Sequence, residues 1–182
     1  ATRLQITGDS LALNATLKGE KLKGSGNYLG GFFDIEGAIT PTKNSVDIDL
    51  LIPSLFSTLS KLEPIELHKG EYYDAEIRAR AHIDFTDTLS IKSELKIPWY
   101  AAVLDSQRAF GGTDGRVSAD YSEGNITINR YQFEIADHPV FSDKTSHIHL
   151  SSTEGVIIDE LWIYDSLLLR GNIQNDLSTS LR

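Results

Sequence analysis

The sequence predicts a mainly β protein of long antiparallel strands, and three observations predict it. The first is alternation. From Tyr73 to Phe85 the apolar set Tyr73, Ala75, Ile77, Ala79, Ala81, Ile83 and Phe85 interleaves with Asp74, Glu76, Arg78, Arg80, His82 and Asp84. A period of two marks a strand with one apolar and one wet face, and a run of this length would extend about 40 Å. The second is an answering run. Leu89, Ile91, Ser93, Leu95 and Ile97 alternate against Lys92, Glu94 and Lys96, with the turn Thr86-Asp87-Thr88 between the two runs, so the pair reads as a hairpin. The third is the lack of any strand–helix–strand spacing, which favours an antiparallel meander over a doubly wound parallel sheet.

The remaining elements follow in order. Leu11, Leu13, Ala15 and Leu17 alternate, and a glycine-rich stretch from Gly19 to Gly31 comes next. Phe33, Ile35, Gly37 and Ile39 form a run stopped by Pro41, Lys43-Asn44-Ser45 turns, and Val46, Ile48, Leu50 and Ile52 alternate up to Pro53. Leu55, Leu59 and Leu62 then fall at helical spacing. Ser54 stands where a cap belongs, and Pro53 and Pro64 bracket a helix of about two turns. The strand at Tyr73 is entered through Lys69-Gly70. Trp99 to Leu104, after Pro98, is expected to be a second short helix or a plug, and Ala109 to Gly115, with three glycines, a loop.

Val117, Ala119 and Tyr121 alternate, Ser122 to Asn125 turns, and Ile126 and Ile128 lead towards Tyr131, Phe133 and Ile135 until His138-Pro139 breaks the run. Ile148 and Leu150 form a short strand; Val156 and Ile158 are out of phase with Leu161 and Ile163; Leu167, Leu169, Gly171 and Ile173 close the series. That makes about ten to twelve strands. Gly37-Ala38-Ile39 and Gly171-Asn172-Ile173 are a loose recurrence of the kind stacked β architectures carry.

Charge narrows the function. With 26 acidic against 17 basic residues the net charge is −9, which argues against nucleic-acid backbones and anionic lipid surfaces as electrostatic partners. There is no cysteine, so disulfides, thiolate chemistry and cysteine metal sites are excluded. No stretch approaches the ~18 apolar residues of a membrane-spanning helix. The chain lacks methionine and begins at Ala1, so residues 1–182 read as one β-rich segment cut from a longer protein.

Catalytic constellations do not emerge. His147 and His149 share a strand face about 7 Å apart, with Asp143 nearby, and a metal would need a third convergent ligand. His68, His82 and His138 follow no ligand spacing. Gly111-Gly112-Thr113-Asp114-Gly115 lacks the lysine–hydroxyl pair and the downstream helix of a phosphate loop. Asp47 with Asp49, and Asp74 with Glu76, are same-face neighbours without an enclosing pocket. No nucleophile elbow occurs. The expectation is a protein that is not an enzyme and needs no cofactor.

What remains is apolar area. A one-faced sheet must pack on a second sheet, close into a barrel or curl around a hydrophobic ligand. A filled sandwich core is the default way to cover such a face, but Ala75, Ala79 and Ala81 are small and leave room within a curled sheet. The candidate groove is therefore Tyr73, Ala75, Ile77, Ala79, Ala81, Ile83 and Phe85 on one strand, with Leu89, Ile91, Leu95 and Ile97 on the next. Its ligands would be lipid acyl chains or an unfolded β-strand. The alternative is a structural or adhesive β-sandwich domain of a surface or secreted protein, with function in loops such as Ala109 to Gly115.

The long alternating strands, the helix between Pro53 and Pro64, and the closing strand Leu167-Leu168-Leu169-Arg170-Gly171-Asn172-Ile173 resemble periplasmic segments of the TamB family (translocation and assembly module), whose style AsmA-like proteins share. The resemblance implies a protein anchored in the inner membrane and crossing the periplasm as a β-rod. Its sheet would curl into a taco-like trough with an apolar interior and one or two short helices. It implies work in outer-membrane protein assembly with a BamA-like barrel partner, and in moving phospholipid between membranes. It brings no catalytic residues. Two helix-like insertions depart from a pure rod and would plug or cap the trough.

Overall fold

Cross-strand pairing in the computed structural model joins fifteen strands into one open antiparallel sheet. The structure describes residues 1–8, 10–62, 65, 71–105, 108–135, 138–151, 153, 155–173 and 179–181. Pro64, His68 and the Lys69-Gly70 entry lie outside them.

The strands are β1 (Thr2–Thr7), β2 (Leu11–Lys18), β3 (Lys21–Tyr28), β4 (Gly31–Ile39), β5 (Asn44–Ile52), β6 (Tyr72–Ala75), β7 (Ile77–Asp84), β8 (Ser90–Asp105) and β9 (Arg108–Ser122). They continue with β10 (Asn125–Ile135), β11 (His138–Ser142), β12 (Ser146–Ser151), β13 (Gly155–Ile163), β14 (Leu167–Ile173) and β15 (Thr179–Leu181). Among the described residues there is one helix, α1 (Leu55–Leu62). Spatial order follows chain order, with two exceptions: β6 pairs with β8 and β11 pairs with β10. This is the expected meander, interrupted where α1 and β6 intervene between the paired strands β5 and β7 and where β11 intervenes between β10 and β12.

No second layer covers this sheet among the described residues. A compact chain of 20.2 kDa would expose about 8,800 Å², whereas this one exposes 12086 Å². Only two apolar side chains, Leu29 and Ala75, are buried among the described residues. The strands instead alternate between exposed polar and half-buried apolar positions, as in β4 and β5.

The sheet bends towards its apolar face at glycines. A Cβ on Gly26 would strike the Ala12 carbonyl oxygen and the Phe33 ring, and one on Gly37 would strike the Ser45 carbonyl oxygen. In a flat sheet a Cβ stands clear of the neighbouring strand. Crowding on the apolar side means that the neighbours have rotated inward, which only a residue without a side chain permits. The glycine-rich stretch after Leu17 is therefore strand β3, in register with β2 and β4.

Several expectations are corrected. Tyr73 to Phe85 is not one strand: it breaks at Glu76 into β6 and β7, and Phe85 lies beyond β7. The cause is on β8. Two residues lie between Ala75 and Arg78, while three lie between their partners Tyr100 and Lys96. The surplus residue is a bulge around Pro98, which has no N–H to offer a ladder.

Trp99 to Leu104 is neither helix nor plug but the second half of β8. Ala109 to Gly115 is not a loop but the first half of β9, paired to it. Glycines opposite Tyr100 and Ala101 let those strands approach closely; a Cβ at Gly112 would meet the Tyr100 ring. The run does end ahead of His138-Pro139, with β10 closing at Ile135, and His138 then starts β11, which pairs back on β10. The turn expected at Thr86-Asp87-Thr88 occupies residues 85–89.

α1 stands where β5 stops. β5 pairs with β7 up to Ile52 and Ile77, and beyond that point the helix lies beside β6. Ser54 caps it, its Oγ accepting the Ser57 N–H at 3.0 Å and donating to Asp74 Oδ2 at 2.8 Å. Asp74 Oδ1 accepts the Phe56 N–H at 3.1 Å, and the Phe56 ring meets Tyr73 edge-on at 5.4 Å. At the other end Lys61 donates to the Leu29 carbonyl at 3.3 Å. Leu29 has φ 52, a conformation costing a bulky residue roughly 1–2 kcal/mol, and its burial offsets that cost.

Candidate functional site

Register converts the alternation of single strands into rows across the sheet. Leu17, Leu22, Gly37, Val46, Ile83 and Ile91 are successive cross-strand partners. The row continues through Tyr121, Ile126, Ile148, Ile158 and Gly171. It crosses eleven strands without a charge, about 48 Å at the usual strand spacing. A second row runs Leu13, Gly26, Phe33, Leu50, Ala79, Leu95, Val117 and Tyr131.

Between the two rows lies a third, Ala15, Gly24, Ile35, Ile48, Ala81, Ser93, Ala119, Ile128 and Ser146. Its middle is shallow. Ala81, Ser93 and Ala119 lie side by side on β7, β8 and β9, with Ile83, Ile91 and Tyr121 on one flank and Leu95 and Val117 on the other. The one polar group there is turned inward, since Ser93 Oγ donates to the Ala119 carbonyl at 2.9 Å.

Seven of the eleven expected groove residues lie together: Ile77, Ala79, Ala81, Ile83, Ile91, Leu95 and Ile97 alternate on one face of β7 and β8, all half-buried. Tyr73 and Ala75 belong to β6, past the break, beside α1, where Ala75 is buried. Phe85 and Leu89 lie in the β7–β8 connection, 42% and 47% exposed. The expected set missed most of the face: Phe33, Val46, Leu50, Val117, Tyr121 and Ile126 carry the same alternation, but only register places them in line with Ile83 and Ile91.

Where the phase of alternation changes, bulges keep the apolar side chains on one face. β10 gains a residue at Asn129, between Ile128 and Tyr131, and β13 gains one between Ile158 and Leu161. Asn129 Nδ2, displaced from the ladder, donates to Asp120 Oδ2 at 3.1 Å.

The opposite face is charged and paired across strands. Lys23 meets Glu36 at 2.6 Å, Arg80 meets Asp49 at 2.7 Å and His82 meets Asp47 at 2.8 Å. The Asp49 hydrogen bond holds the Arg80 guanidinium above its ordinary pKa. His147 and His149 lie on β12, opposite Thr127 and Asn125. His149 Nδ1 is 3.0 Å from Asn125 Oδ1, and no group of three potential metal ligands occurs among the described residues.

The corner beyond β12 is tied by polar groups. Ser142 and Ser146 are fully buried. Asp165 Oδ1 accepts Ser142 Oγ at 2.7 Å and the Asp143 and Lys144 N–H groups at 2.9 and 3.2 Å. The Ser142 bond leads the causes that lower the Asp165 pKa. Tyr131 Oη donates to the Trp162 carbonyl at 2.6 Å, and Ser146 Oγ accepts the Trp162 N–H at 3.0 Å. Burial raises the pKa of Tyr131 and of Tyr100.

The class that fold and site define is an open antiparallel sheet whose apolar face has no second layer among the described residues. No family model, curated protein or solved structure matches the chain.

Proposed function

We propose that this chain is a hydrophobic-groove segment, without catalytic activity of its own, that shelters lipid acyl chains. In this proposal it belongs to a TamB-like, inner-membrane-anchored periplasmic protein, serving outer-membrane protein assembly with a BamA-like barrel and moving phospholipid between membranes. The observation that carries it is the charge-free row from Leu17 to Gly171, half-buried along its length and covered by no second layer among the described residues. An apolar surface of this extent left to water is unfavourable, and a ligand that covers it gains what a second sheet would otherwise supply.

The face favours acyl chains over polypeptide. Backbone N–H and C=O groups of the interior strands are taken by their neighbours, so the face has no ladder to offer a strand. A strand cargo would instead need the free edge of β1, which is exposed throughout.

The test is native mass spectrometry of the purified chain with phospholipid, comparing wild type with Ile83→Glu/Ile91→Glu. The expected result is lipid bound to the wild type and lost from a variant that keeps its β-sheet circular dichroism. A wild type that binds no lipid, or a folded variant that binds as well, would overturn the proposal.

A further inference from the structure

On the polar face, like charges stand directly opposite one another in several places, Lys18–Lys21 among them. Where acids face acids, at Glu36–Asp47 and Asp34–Asp49, cations flank them: Lys23 on Glu36, His82 on Asp47 and Arg80 on Asp49. The row Arg78, Lys96, Arg116 reverses this, placing three cations on adjacent strands, although like charges directly opposite destabilise a sheet. Arg78 is partly neutralised by Glu76, at the break before β7, and Lys96 by Glu94 on its own strand. Arg116 is not. Neither Arg116 nor Arg130, its diagonal neighbour on β10, is ion-paired with another described residue.

These two arginines line one groove of about 330 Å³ together with Gln132, Pro139, Phe141 and Asp143. Its size is at the small end of ligand pockets, right for a headgroup-sized anion. Two guanidiniums and an amide converge there against a single carboxylate. Planar guanidinium forks suit the paired oxygens of phosphate. A local rule broken without structural compensation is characteristic of a binding site.

We propose that the Arg116–Arg130–Gln132 groove binds a phosphate-bearing anion, either a phospholipid headgroup or a soluble phosphate monoester. The two arginines carry the charge, Gln132 donates its amide, and Pro139 and Phe141 wall the groove. Arg116, Arg130 and Gln132 alternate with the apolar rows and stand on the opposite face, while Tyr131 of the second row also lines the groove.

The test is titration calorimetry of the chain with glycerol phosphate, and flotation with phosphatidylglycerol vesicles at physiological salt. The variant is Arg116→Gln/Arg130→Gln. The control is Lys18→Gln/Lys21→Gln, another exposed like-charge cross-strand pair. Saturable binding that falls at least about tenfold in the arginine variant, as expected for lost charge-assisted hydrogen bonds, and is unchanged in the control supports the site. Within that result, vesicle binding lost in the same variant assigns the headgroup, and glycerol phosphate binding without vesicle binding assigns a soluble ligand. No saturable binding, equal loss in the control, or binding of a glutamate-rich peptide in place of glycerol phosphate overturns it. The arginine variant should melt no lower than wild type, because it relieves the Lys96–Arg116 repulsion, so lost binding cannot be confused with unfolding.

Discussion

The sheet has two regions that hold together differently. In the regular part, β1 to β5 with β7 and the first half of β8, every strand keeps one register with its neighbours and the apolar rows are unbroken. The extension consists of β6, the second half of β8, the first half of β9, the second half of β10, and β11. Its register shifts at Pro98 and Asn129, and Asp114 on β9 takes φ 56. Its anchors are specific polar contacts: Asp74 on the helix start, Tyr131 on the Trp162 carbonyl, and Ser142, Ser146 and Asp165 at the corner. Repetition stabilises the first region, whereas the second depends on a few irreplaceable groups.

That contrast can be broken from either side. The largest effect is expected at Gly26→Val, in the regular sheet. The new side chain would collide with the Ala12 carbonyl and the Phe33 ring, and relief requires flattening the sheet, at a cost of roughly 3 kcal/mol or more. A chemical denaturation curve measures it. A loss under about 1 kcal/mol would mean that the curvature is not held at this glycine.

Ser146→Ala comes next, at the start of β12 in the corner that anchors the extension. It leaves the Trp162 N–H without its 3.0 Å acceptor at a buried site, for a loss of about 1–3 kcal/mol. Hydrogen exchange should show the loosening concentrated at β11 to β13, with β2 to β5 protected as before. A uniform loss of protection would erase the distinction between the regions.

The smallest effect is on pH dependence. Asp165 has a folded pKa below its unfolded value, with the Ser142 hydrogen bond the leading cause. Its contribution is present above the unfolded pKa of about 3.9 and is lost as pH falls through the lower folded value. Asp84 behaves likewise in the β7–β8 connection, chiefly through the Thr86 N–H, so acid acts on both regions. Asp165→Asn separates them. It should remove the acid-dependent loss of amide protection at Asp143 and Lys144 and leave that of Thr86 intact. Identical acid profiles in variant and wild type would deny Asp165 the role.

The same division explains what could be read from the sequence. The β7–β8 hairpin, the meander and the Ser54-capped helix are local, set by period-two alternation and a cap, and each was legible. So was the phase change in β13, which the bulge between Ile158 and Leu161 accounts for. The extension was not legible. Pro98 suggested a break and the glycines around Gly112 a loop, because both residue types weaken strands in isolation. Only cross-strand partners reveal that the proline sits at a bulge and the glycines under Tyr100. The groove was half legible: alternation showed which side of each strand is apolar, but not which residues of distant strands stand in one row.

The sequence alone determined that this is a β protein with one apolar and one charged face per strand, because a period of two can place side chains nowhere else. Tertiary structure decided the rest. It decided that the strands join one open sheet, that the apolar positions align from Leu17 to Gly171, and that Arg116 and Arg130 share a groove. Those outcomes depend on register and curvature, and both arise from contacts between strands that no single strand encodes.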